Sequence, residues 1–84
     1  MNPEVTYISA IENHTLRLVF EGGEVREFDL KPYLNFGIFE ELKDDAYLKS
    51  VKIEFGSIEW PNGQGLSHDT LFKKSKPAAE DTNA

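Results

Sequence analysis

The sequence predicts a small α+β fold: an antiparallel β-meander, a second hairpin, and one short helix packed on the sheet. Three observations predict it. Residues 5–11, 15–21 and 24–30 are rich in β-branched and aromatic residues and are separated by turn signals. Residues 50–60 alternate apolar and charged side chains around Gly56-Ser57. Between these regions Ile38, Phe39, Leu42, Ala46 and Tyr47 recur at the spacing of one helix face.

Each element has its own reason. Asn13-His14 is expected to form a two-residue turn, since Asn tolerates left-handed backbone. That register sets Ile11 opposite Leu16, Ser9 opposite Leu18 and Tyr7 opposite Phe20. At Gly22-Gly23-Glu24 a two-residue turn would place Glu27 and Asp29 on the apolar face. A three-residue turn with a bulge pairs Leu18 with Phe28 and Leu16 with Leu30 instead, and is the expectation. It puts Ile8, Val19 and Val25 together on the second face as a small apolar interface patch. Pro32 ends the third strand, and Asp29 is expected to terminate it through an Asx-type contact.

Asn35 is a candidate helix cap, and Asp44-Asp45 weakens the middle of 35–48. One helix of two turns, or two short pieces, is therefore expected. A turn at Gly56-Ser57 pairs Phe55 with Ile58 and Ile53 with Trp60, and sets Glu54 against Glu59. Residues 61–65 are a loop by composition. Residues 67–72 suit one helical turn capped by Ser67 or Asp69. The expected organisation is a single domain over 1–72 and a disordered polar tail over 73–84.

Composition excludes whole classes. The chain has 84 residues, no cysteine and a net charge of −6. Residues 1–72 hold six bases and thirteen acids, and three further bases are Lys73, Lys74 and Lys76. No basic stripe is left on the folded part, so direct nucleic-acid binding by this chain alone is not expected. Without thiols there is no disulfide and no thiolate metal site. No apolar run approaches a membrane span, and the N-terminus lacks the pattern of a secretory signal. A cytoplasmic, monomeric or homodimeric protein is expected, without cofactor or metal. At this length only about 60% of the unfolded surface is buried, so the core is thin.

The candidate chemistry is sparse. Trp60, Asn62, Gly63, His68 and Asp69 are the candidate binding residues, because an aromatic anchor, a glycine-rich loop and a His–Asp pair fall close together in sequence. Ser67 is the only adjacent nucleophile and nothing in the sequence orients it, so no catalytic residue is assigned. His14 is expected to be a solvated turn residue. Glu40-Glu41, Asp44-Asp45, Glu54/Glu59 and Glu21/Glu24 read as solvated carboxylates. Gly22-Gly23 and Gly63-Gln64-Gly65 match no phosphate loop.

The order Phe20-Glu-Gly-Gly-Glu-Val-Arg, Phe28-Asp29-Leu30, a short helix, Ile58-Glu59-Trp60-Pro61-Asn62-Gly63 and Leu66-Ser67-His68-Asp69-Thr70-Leu71 resembles the bacterial family known as domain of unknown function 2442. The resemblance covers about residues 4–72. The chain departs from it at Gly22-Gly23, where the family has an acidic-Gly pair. What the resemblance implies is a small α+β domain with no activity to carry over. Some relatives append a helix-turn-helix, for which the twelve residues after Phe72 are too few. Relatives are often encoded beside another small protein, which implies an antitoxin-like pairing. The leading expectation is thus a non-enzymatic interaction module with a small, basic protein partner. The alternatives are a ligand-binding domain or enzyme sited near Trp60, Asn62, His68 and Asp69, and a regulatory subunit of a DNA-binding complex.

Overall fold

The computed structural model describes residues 2–78. Its α+β architecture is the one the sequence predicts. Strands β1 (Val5–Ile11), β2 (Thr15–Phe20) and β3 (Val25–Asp29) form the meander. Strands β4 (Lys52–Glu54), β5 (Ser57–Glu59) and β6 (Gly65–Leu66) form a second antiparallel sheet. Helix α1 (Asp45–Leu48) lies between the sheets in sequence, and helix α2 (His68–Lys74) follows β6. A last strand, β7 (Lys76–Pro77), pairs with β3, so the larger sheet runs β1-β2-β3-β7.

One core serves both sheets. Leu16, Leu18 and Phe20 of β2 point to the same face, as residues two apart in a strand must. They meet Val5, Phe28, Leu30, Leu34, Leu42, Leu48, Ile58, Trp60 and Leu71, all buried. The Phe20 and Phe72 rings stack edge to face at 5.2 Å, which ties α2 to the meander.

Three registers differ from expectation. The β1–β2 turn takes three residues, with left-handed backbone at both Asn13 and His14. Ile8 then faces Leu18 and Ala10 faces Leu16. This one-residue change swaps the faces of β1: Ile8 and Ala10 pack on the core and Tyr7 turns outward. An irregularity between Val5 and Tyr7 restores Val5 to the core side. The β2–β3 turn does take three residues, but at Glu21-Gly22-Gly23, so Leu16 pairs with Phe28 and Leu18 with Arg26. Sliding by two residues preserves the faces. The same happens at β4–β5, where Phe55-Gly56 forms the turn, Ile53 pairs with Ile58, and Lys52 stands opposite Glu59. The expected Glu54–Glu59 repulsion is thereby avoided.

Residues 35–48 form two pieces, a 3-10 segment Gly37–Lys43 and then α1. The break falls at Asp44, whose extended backbone and side chain cap α1 by accepting from Ala46 N–H. Phe36 rather than Asn35 precedes the first piece. Ile38, expected on the buried face, is 66% exposed, because a 3-10 segment rotates its residues by 120° rather than 100°. Asp29 does end β3 by accepting from Lys31 N–H.

The chain is folded beyond Phe72, contrary to the expected boundary. Helix α2 continues to Lys74, capped by Ser67, and Ser75 is buried. Arg26 explains the continuation. Its guanidinium donates to the Ser75 hydroxyl and carbonyl, both at 2.7 Å, and lies 4.6 Å above the Phe72 ring. The part of the expected tail from 79 to 84 lies outside the described residues.

Candidate functional site

The five candidate residues divide between two places. The first is structural. Trp60 follows β5, is 1% exposed, and donates its indole N–H to the Leu48 carbonyl. Pro61-Asn62-Gly63 then turns back, with Gly63 in the left-handed region and Trp60 N–H donating to the Gln64 carbonyl. The Asn62 amide donates to both Glu41 carboxylate oxygens. Gln64, 3% exposed, donates to Glu41 and to the Ile38 carbonyl and accepts from the Tyr47 hydroxyl. That hydroxyl accepts from Asn62 N–H.

This network clamps 37–48 onto the second sheet. Hydrogen bonds from Asn62 first, and then from Gln64, hold the Glu41 carboxyl below its ordinary range. Gln64 is the member that composition hides, as a long amide within a loop of glycine, proline and asparagine. Asp29 is a parallel case: burial would raise its carboxyl, but the backbone and side chain of Lys31 outweigh burial and hold it low.

The second place is a cleft of about 480 Å³ lined by Asn2, Pro3, Glu4, Glu21, His68 and Asp69. Helix α2 supplies His68, whose backbone N–H donates to the Ser57 hydroxyl. His68 Nε2 stands 3.6 Å from Asp69 Oδ1, and Nδ1 is buried without a hydrogen-bond partner among the described residues. Asn2 donates to Asp69, and Glu21 accepts from Glu4 N–H. Ser67 is committed to capping α2 through Thr70 N–H, so it is not held as a nucleophile for His68. Three carboxylates give the cleft a negative field. Trp60 instead borders a separate hollow with Lys52, Glu54, Glu59 and Pro61. His14 reaches the Lys43 carbonyl at 3.2 Å and is only partly exposed.

The expected patch is rearranged as well. Val19 and Val25 stay on the outer face, but the third member of their row is Tyr7, since Ile8 packs inward. The largest exposed apolar side chains lie elsewhere: Phe36 at 62%, Ile38 at 66% and Phe55 at 96%. Sequence pattern missed Phe55 because alternation placed it on the core face of its strand.

Among the described residues no three His, Cys, Asp or Glu side chains are gathered to hold a metal. No helix there is long and apolar enough to cross a membrane. A family model described as "Protein of unknown function (DUF2442)" matches residues 5–77. No curated protein and no solved structure matches the chain significantly.

Proposed function

The chain belongs to that DUF2442 family, and from this premise we propose that it is a non-enzymatic protein-interaction module that binds a small basic partner in the cytoplasm. The observation that carries the reading is the exposure of Phe55, 96% accessible at a hairpin tip on an acidic body. An aromatic side chain that buries nothing in its own fold is suited to anchor a contact. The net charge of −6 favours encounter with a basic surface. The absence of cysteine suits a reducing compartment.

The test is affinity capture of the tagged chain at native expression level, followed by reconstitution with the purified partner. A basic protein that binds at one-to-one stoichiometry supports the reading. An empty capture, with the chain monomeric at high concentration, overturns it. A second reading, a small-molecule domain, is favoured by His68 Nδ1, buried beside the cleft without a partner among the described residues. Its test is a ligand screen read from the chemical shifts of His68 and Asp69.

A further inference from the structure

We infer that the tip of the β4–β5 hairpin is the docking anchor. Phe55 enters an apolar pocket of a basic protein, and the carboxylates of Glu4, Glu21, Glu54 and Asp69 receive Lys or Arg side chains around it. The inference rests on the interaction reading above and names its surface.

Neither packing nor backbone accounts for a phenylalanine at this position. The side chain is 96% exposed, so it contributes almost nothing to the core. Its backbone lies at φ 52°, and Gly56 follows at φ 79°. A two-residue turn with both residues left-handed favours Asn-Gly, whereas a bulky residue there is strained. A large ring held in water on strained backbone is disfavoured twice, and burial against a partner offsets both.

The tip is held rigidly. Val5 N–H donates to the Gly56 carbonyl at 2.9 Å. The Gly56 Cα lies so close to Glu4 that an added Cβ would stand 2.6 Å from that side chain. Ser57 accepts from His68 N–H. The hairpin is thus fixed to both β1 and α2, and little ordering remains for binding to supply.

Those same contacts specify the partner's charge. Glu4 touches the turn, Glu21 binds Glu4 N–H, and Asp69 lines the cleft with both. Glu54 precedes Phe55 in the chain. Among the described residues, none of these four carboxylates pairs with a lysine or arginine. An aromatic anchor beside carboxylates that no lysine or arginine of the described residues neutralises complements a basic surface with an apolar pocket. The same face of a second copy would set like charges together, and a phosphate backbone would be repelled.

The experiment uses the full chain and the purified protein that it captures. Affinity is measured by calorimetry for wild type, Phe55→Asn, the triple variant Glu4→Gln/Glu21→Gln/Asp69→Asn, and Phe36→Ser/Ile38→Ser. Asn-Gly suits the turn, so Phe55→Asn stays folded. The expected result is a loss of roughly thirtyfold in affinity for Phe55→Asn, the size of a hot-spot truncation. The triple variant should bind more weakly with a flatter salt dependence, and the Phe36/Ile38 variant as wild type. Unchanged binding by Phe55→Asn, or loss through Phe36/Ile38 instead, overturns the surface while leaving the interaction reading intact. A wild-type dimer that Phe55→Asn dissolves also overturns it. Capture of no partner at all overturns the interaction reading and the surface with it.

Discussion

The Trp60 indole N–H and the Leu48 carbonyl meet at 2.9 Å inside the core, joining the end of α1 to the strand that leads into the second loop. Leu48 is the last residue of its helix, and its carbonyl is among those a helix leaves without an internal partner. Trp60 therefore fills space and satisfies a helix end at once. The same carbonyl keeps only a longer bond from Val51 N–H at 3.4 Å, so replacing Trp60 with Phe should cost about 0.5–1.5 kcal/mol for the lost hydrogen bond, before any cavity cost. Urea unfolding checks this: the midpoint should fall with the slope unchanged.

Glu41 predicts a pH dependence. Its folded carboxyl is held below the ordinary value of 4.5 by Asn62 and Gln64. A lowered folded value means stabilisation that is complete above the ordinary value and lost as pH falls through the lowered one. Glu41→Gln should therefore be less stable than wild type at neutral pH, with the gap closing in acid. Thermal melts between about pH 3 and 7 would show the convergence. A gap that is constant with pH would dissociate the effect from the charge.

Arg26 and Ser75 predict the effective C-terminal boundary. A chain ending at Phe72 loses the buried Ser75 and both hydrogen bonds that it accepts from Arg26. Relative to a chain ending at Ala78, it should lose at least about 1.5–3 kcal/mol, the range for a single hydrogen bond to a charged group. Denaturation of the two truncated chains side by side decides the matter.

Phe55 predicts a stabilising substitution. Asn visits left-handed backbone readily, so Phe55→Asn should raise stability by about 1 kcal/mol. An increase in melting temperature, with amide shifts changed only near the turn, would confirm relief of strain. A decrease would mean the ring contributes to folding after all.

How much of this was legible in sequence depends on parity. Alternation assigned Leu16, Leu18, Phe28 and Leu30 to one face correctly, because a two-residue slide of register leaves faces unchanged. It failed for Tyr7 and Ile8, where Glu12 joined Asn13 and His14 as a third turn residue and shifted β1 by one. Turn length is decided by backbone conformations that many sequences share, so it left little trace. The burial of Trp60 followed from its position on the apolar side. The Glu41–Gln64 clamp and the cleft around His68 join residues far apart in the chain, such as Asn2 and Asp69. No local pattern encodes such pairings.

The position of β7 bears on how the protein is made. Arg26 lies in the third strand, yet the serine that receives it and the strand that covers β3 lie some fifty residues later. Val5, near the start, waits for Gly56. During synthesis the meander emerges early with one edge uncovered and a guanidinium without its partner. Such a chain closes in one late step, once residues 75–77 have cleared the ribosome, and its folding rate should reflect those distant closures more than its small size.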